Sequence, residues 1–240
     1  MIKKKIDIHS QPSQKDMKIL EVLYNSKKFN KLETETKKLI QKHPNVAPLL
    51  NILGFALHKQ GHLKKAATNY EQAISIDPKF IFAHNNLGNV FKDLGKFDEA
   101  LSKYQHSIKL NPNYAEAHYN QGLVYRKIRK YNESIKSFQY ALKIKSDYLD
   151  AYFDLGQVFV TVGKFEEAIQ NFQKVIDLKP DFSSAYNNIF FTLLYMKKNN
   201  HEFFLSLTKK FRSSQKTIDK NLLSKYQFET KPKKLRVGFV

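Results

Sequence analysis

Apolar residues recur along the chain at helical spacing, and the whole pattern repeats every 34 residues from 47 to 182. Glycines stand at Gly54, Gly88, Gly122 and Gly156. Small residues follow in the same phase at Ala66, Ala100, Ser134 and Ala168. Aromatics come next at Tyr70, Tyr104, Phe138 and Phe172, then Ala73, Ser107, Ala141 and Val175. Proline closes the units at Pro78, Pro112 and Pro180, with Ser146 in that slot once; Pro44 stands one period earlier. An aromatic lies two residues further on, at Phe80, Tyr114, Tyr148 and Phe182. Four units, 47–80, 81–114, 115–148 and 149–182, keep this register without an insertion.

Each unit reads as two amphipathic helices, A and B, joined by a short turn. In 81–114 the spacing predicts helix A from about Phe82 to Leu94 and helix B from about Asp98 to Leu110. Gly88 and Ala100 are small because the two helices cross there and their backbones must approach closely. Phe91, Phe97 and Tyr104 fill the space around the crossing. Gly61, Gly95 and Gly163 supply the positive φ that favours a helix end. Pro112 cannot sit inside a helix and marks the passage to the next unit. One unit cannot bury its apolar face alone, so neighbours must stack.

The order of Leu-Gly, aromatic, Ala, Phe, Ala and Pro, recurring four times in phase over 47–182, resembles the tetratricopeptide repeat. The resemblance implies an all-α solenoid: a right-handed superhelix of antiparallel helix pairs whose A helices line a concave inner surface that binds another polypeptide. Departures fall in the third unit and around it. Gln121 takes a Leu slot, Ser146 the Pro slot, and His84 and His118 a Trp/Tyr slot; they are expected to loosen the third repeat slightly. The histidines read as packing residues, brought near each other by stacking. The edges decay as caps do: 1–12 is read as a flexible start, 13–46 as a degenerate repeat without its glycine, and 183–230 as a degenerate repeat with Phe190 in the glycine slot, followed by a helical linker.

Two columns of the inner surface stand out. One reads Asn86, Asn120, Asp154 and Asn188, with Ile52 in the first unit; the other reads Asn51, Asn85, Tyr119, Phe153 and Asn187. Asparagine is a poor residue for a helix interior because its side chain competes for backbone hydrogen bonds, so its repetition at one helical position has a cause. A carboxamide can pair with a backbone N–H and C=O together, and a ladder of them suits an extended peptide gripped without reading its sequence. The other reading is that these side chains cap or bridge neighbouring helices; the two are compatible. The ladder resembles that of the O-linked N-acetylglucosamine transferases, which holds the backbone of protein substrates, and Asn86, Asn120 and Asn188 match it by position. Asp154 and Ile52 depart from it, which implies a weaker grip there. Chaperone-binding clamps need several Lys, Arg and Asn residues at set inner positions; Asn89 and Arg126 are present, but the matching lysines are not.

Composition adds limits. The 240 residues carry a net charge of +19 and no cysteine. The absence of cysteine excludes disulfides and thiolate chemistry and suits the cytoplasm. Basic residues outnumber acidic ones 11 to 5 in 1–46, 18 to 14 in 47–182 and 12 to 3 in 183–240. The excess therefore sits in the flanks, which speaks against a specific nucleic-acid surface. No apolar run is long enough for a membrane span. No phosphate loop, zinc spacing or nucleophile elbow occurs, so the expected catalytic residues, metal ligands and cofactors of this chain are none. The run Lys234 to Val240, after Pro232, reads either as the first strand of an α/β domain spanning from 231 or as a frayed tail. It resembles the opening strand of the catalytic half of the same transferases. Under that resemblance the chain is the substrate-recruiting arm of a protein O-glycosyltransferase, and a UDP-sugar donor belongs to the further domain. The alternative is a free-standing adaptor that joins proteins.

Overall fold

The computed structural model describes residues 11–196 and 201–214. Among them twelve helices follow one another, and no strand occurs. They are α1 (Gln14–Asn25), α2 (Phe29–Lys42), α3 (Ala47–Lys59), α4 (Leu63–Ile76), α5 (Ile81–Asp93), α6 (Phe97–Leu110), α7 (Ala115–Lys127), α8 (Tyr131–Ile144), α9 (Leu149–Thr161), α10 (Phe165–Leu178), α11 (Ser183–Tyr195) and α12 (His201–Ser214). From α3 on, odd helices are the A helices and even ones the B helices. Each helix packs on the next, and α3, α5, α7, α9 and α11 also touch one another in series. The odd helices therefore lie side by side and line one face. The run read as a nascent strand, most of the flexible start and the later part of the linker lie outside the described residues.

The glycine crossing sets the geometry of every repeat. A Cβ built on Gly88 would stand 2.6 Å from Cε1 of Tyr104. The same atom on Gly54, Gly122 and Gly156 would come within 2.6–2.8 Å of the rings of Tyr70, Phe138 and Phe172. Those four rings are fully buried, as are Ala66, Ala100 and Ala168 beside them. Where serine replaces alanine, Ser134 Oγ donates to the carbonyl of Gly122 at 2.8 Å, so the polar atom is satisfied at the crossing itself. Gln121, in a leucine slot, likewise finds a partner: Ser137 Oγ donates to its Oε1 at 3.3 Å.

The turn between A and B needs a left-handed residue. Gly61, Gly95 and Gly163 supply it with φ of 81°, 75° and 78°. Arg129 and Lys27 hold the same place with φ of 61° and 55°, a conformation that costs a side-chain-bearing residue about 1–2 kcal/mol. At the start, Ser13 caps α1 and Asp16 closes a reciprocal capping box, with Leu20, Leu32 and Leu39 packed against Leu49 and Ala56. At the other end Phe190 occupies the glycine position. Its ring meets Phe204 at 4.9 Å, and α12 packs through Leu207 and through Phe211 against Tyr186, off the register of the earlier B helices.

The two tyrosines at the crossing differ in one respect. Tyr104 OH donates to Asn89 Oδ1 at 2.7 Å. In the preceding repeat Asn89 is replaced by Phe55, and the buried Tyr70 hydroxyl has no partner. An unpaired buried hydroxyl costs about 1–3 kcal/mol, while a satisfied one contributes about 1 kcal/mol. Tyr70→Phe is accordingly expected to raise stability by about 1 kcal/mol and Tyr104→Phe to lower it by a similar amount. Urea unfolding of the two variants checks the opposite signs.

Candidate functional site on the face of the odd helices

The asparagine columns meet each other across the repeats. Asn86 Nδ2 donates to Asn51 Oδ1 at 3.0 Å, and Asn120 Nδ2 donates to Asn85 Oδ1 at 3.0 Å. In the third step Tyr119 OH donates to Asp154 Oδ2 at 2.7 Å. Each bond joins residues 35 apart, one from each column. The bridging role is therefore present in the structure. Its fourth step fails because Phe153 carries no polar group. That ring packs between Phe172 and Phe182, and Asn188 Nδ2 turns back to the carbonyl of Ser184 on its own helix at 2.8 Å.

Bridging uses only part of each carboxamide. Asn86 keeps an N–H and its oxygen, and Asn51 keeps its whole NH2 group. Both residues are half-buried. Asn85 and Asn120 are buried, yet the only enclosed side-chain polar atoms without a partner among the described residues are Tyr70 OH and His84 Nδ1. The uncommitted amide atoms of Asn85 and Asn120 are thus not sealed from solvent. Asn89 spends its oxygen on Tyr104 and retains its NH2 group. Asn187 is exposed.

Asp154 is the most heavily committed member. Besides Tyr119 it takes Arg126 Nη1 on Oδ1 at 2.6 Å, and Arg126 also donates to Gln157 Oε1 at 2.8 Å. Burial, with the Asp154 carboxylate beside it, pushes the Tyr119 phenol well above its ordinary value, so the hydroxyl stays a donor. Arg126 and Gln157 are members of this face that the column pattern did not reveal. So is the pair His58 Nε2 and Asp93 Oδ2 at 2.7 Å, again 35 apart. For His58 and Asp93 the signal was available in the sequence as a donor and an acceptor type 35 residues apart.

The two histidines of the Trp/Tyr slot do not face each other. His84 Nε2 lies 2.9 Å from the carbonyl of Pro78, and His118 Nε2 lies 3.0 Å from that of Pro112. A carbonyl only accepts, so both nitrogens carry the proton. Tyr186 OH makes the same bond to Pro180 at 3.0 Å. Each ring thus ties helix A to the proline closing the previous repeat. Each then leans on helix B of its own unit, His84 on His106 at 4.1 Å and His118 on Tyr140 at 5.7 Å. The expectation that stacking brings His84 and His118 together is corrected on this ground; their role in packing gains a hydrogen bond. No group of three or more residues able to hold a metal occurs among the described residues.

A family described as TPR repeat matches residues 54–95 and 88–129, and one described as tetratricopeptide repeat matches 113–181. Together the matches span more than half of the chain. The chain is a tetratricopeptide-repeat protein. Solved structures share its fold. MamA is 25% identical, with 72% of this chain and 98% of that one covered at a TM-score of 0.58. A thermophilic TPR protein of Thermus thermophilus is 20% identical, with coverages of 75% and 98% and a TM-score of 0.65. PilF of Pseudomonas aeruginosa is 12% identical, with coverages of 88% and 96% and a TM-score of 0.71. No curated protein matches the chain. Tetratricopeptide repeats with such neighbours support a protein-interaction scaffold. No helix among the described residues is long and apolar enough to cross a membrane.

The tie made by His84 has a pH signature. Burial lowers its pKa, outweighing the opposing pull of the Pro78 carbonyl and Asp77, and His106 and Lys103 lower it further. The unfolded chain then binds the proton more readily than the folded one below the ordinary histidine value near 6.5. The contribution is full above that pH and is lost as pH falls towards the lower folded value. His84→Tyr, which copies Tyr186, is expected to remove this part of the loss. Thermal melts of both proteins between pH 7 and pH 5 test it: the gap should shift in favour of the variant as pH falls.

Proposed function

We propose that this tetratricopeptide-repeat protein holds an extended polypeptide on the concave face lined by α3, α5, α7, α9 and α11. The observation that carries the proposal is the asparagine ladder with unspent amide groups. Adjacent helices lie about 8–10 Å apart, and three extended residues cover about 10 Å, so successive rungs meet successive peptide groups at a regular interval. Asn51, Asn85, Asn86, Asn120, Asn187 and Asn188 supply the grip, with the NH2 group of Asn89 beside them. Tyr119, Phe153 and Asp154 form a rung that packs against the peptide, because Asp154 is already engaged by Tyr119 and Arg126. YrrB, 22% identical over 79% of this chain and 97% of that one at a TM-score of 0.58, is described as a TPR protein with an unusual peptide-binding site. It is an instance of peptide binding on the same fold.

The specific form of the proposal is a substrate-recruiting arm of a protein O-glycosyltransferase. It is favoured by asparagine at the ladder position in Asn86, Asn120 and Asn188. The free-standing adaptor is the alternative, and both place the protein in the cytoplasm. Transfer of N-acetylglucosamine from UDP-N-acetylglucosamine to a Ser/Thr peptide by the complete gene product separates them: transfer supports the arm, and its absence with peptide binding intact supports the adaptor.

The ladder itself is tested by Asn→Ala changes. Asn86, Asn120 and Asn188 replaced together are expected to weaken a bound peptide at least about tenfold with the helical circular-dichroism signal retained, since each amide bond contributes about 1 kcal/mol. Asn188→Ala alone is the cleaner variant, because Asn188 bridges no repeat. Unchanged peptide affinity in the triple variant would refute the ladder.

A further inference from the structure

The odd-helix face changes chemistry along its length. The repeat position of His58 carries Lys92, Arg126, Val160 and Leu194 in turn, and the next position carries Lys59, Asp93, Lys127, Thr161 and Tyr195. The bonds from Arg126 to Gln157 and from His58 to Asp93 show that these positions meet across neighbouring helices. Over α3–α7 the row is predominantly cationic. Asp93 and Asp154 offset part of the charge, while Lys59 lies over the Phe55 ring and Lys127 is exposed. The acids Glu116 and Asp150 sit in the first turns of α7 and α9, about 15 Å along the axis from the row at the C-terminal ends. Over α11 the row is apolar and open: Leu194 and Tyr195 are 76% and 66% exposed, and Phe191 beside them, at the repeat position of Asn89, is 63% exposed. Tyr195 stacks on Phe165 with ring centroids 5.9 Å apart and planes at 17°, which makes a flat apolar shelf. Three large apolar side chains exposed within five residues mark a surface that something covers.

We infer that the polypeptide held on this face is two-part, with carboxylates over the cationic row of α3–α7 and apolar side chains on the shelf of Phe191, Leu194 and Tyr195. The inference rests on the peptide-binding reading above and names its ligand class. Two features select this occupant. The shelf continues the row that carries the cations, and the positive row is complementary to acidic side chains. Two copies of a chain carrying +19 repel each other, which disfavours a second copy as the cover. From α5 to α11 the face spans about 30 Å at 8–10 Å per helix, or about nine extended residues at 3.3 Å each.

Fluorescence anisotropy on the full chain tests the inference with three labelled twelve-residue peptides. The first joins six Asp/Glu residues to six Leu/Phe residues. The second replaces the apolar half with Ser/Gly, and the third replaces the acidic half with Lys. The first is expected to bind at least tenfold tighter than either of the others, and only its binding and that of the second should weaken with added salt. Leu194→Asp combined with Tyr195→Asp should reduce the first to the level of the second and leave the second unchanged. Equal affinity of the first and second peptides overturns the inference, as it would if the chain's own residues beyond 214 filled the shelf. So does a double variant that dissolves a dimer in sedimentation without altering the affinity for the first peptide. If Asn188→Ala and Asn120→Ala weaken both peptides while the apolar half adds nothing, the inference fails and the ladder stands. If the asparagine changes affect neither, the peptide-binding reading itself fails.

Discussion

The close approach of a helix A glycine to a helix B ring is the constraint on which the rest depends. At Gly54, Gly88, Gly122 and Gly156 a single added carbon would overlap an aromatic ring that is itself fully buried. That contact fixes how near A lies to B and, through repetition at an interval of 34, how each pair is set against the next. The glycine is absent at both ends: with Leu20 in its place α2 keeps the register of the other B helices, and beyond Phe190 the last helix does not. The same crossing absorbs local polarity when it must: Ser134 bonds the glycine carbonyl, and Tyr104 finds Asn89, whereas Tyr70 meets Phe55 and stays unpaired.

Because the pairs stack at one fixed setting, residues of adjacent columns on successive A helices come within hydrogen-bonding reach at an interval of 35. This converts a column of poor helix formers into a cross-linked surface. The asparagines stabilise the solenoid and present amide groups in the same act, so the structural and binding readings of the column are two uses of one carboxamide. The chemistry graded along this face, with cations at one end and an open aromatic shelf at the other, is written in the residues that the repeat leaves free to vary.

The fold was legible because its determinants are local and repeated. Gly88, Ala100, Tyr104 and Pro112 each announce a geometric role, and helix A of that unit was placed within one residue of α5. The site was legible only as a position in the helix. That Asn86 meets Asn51, and not a residue of its own repeat, depends on the offset between neighbouring pairs, which the 34-residue period alone does not state. The engagement of Arg126 with Asp154 and Gln157 was hidden for the same reason. The histidines were misplaced relative to each other because ring direction is set by the carbonyl of the proline that closes the previous repeat, a bond across the unit boundary that the shared repeat position does not show. Phe190 in the glycine slot was visible, but the packing of α12 through Phe204 and Phe211 needed the neighbouring rings.

The most direct measurement is the side-chain amide NMR spectrum of the full chain titrated with the acidic-apolar peptide. If the odd-helix face is the binding surface, the NH2 signals of Asn51, Asn86, Asn89 and Asn188 should move together and saturate at one peptide concentration, while those of Gln105 and Gln139 on the B helices stay in place. Shifts confined to the B-helix amides, or saturable binding that leaves the ladder signals unmoved, would contradict the account.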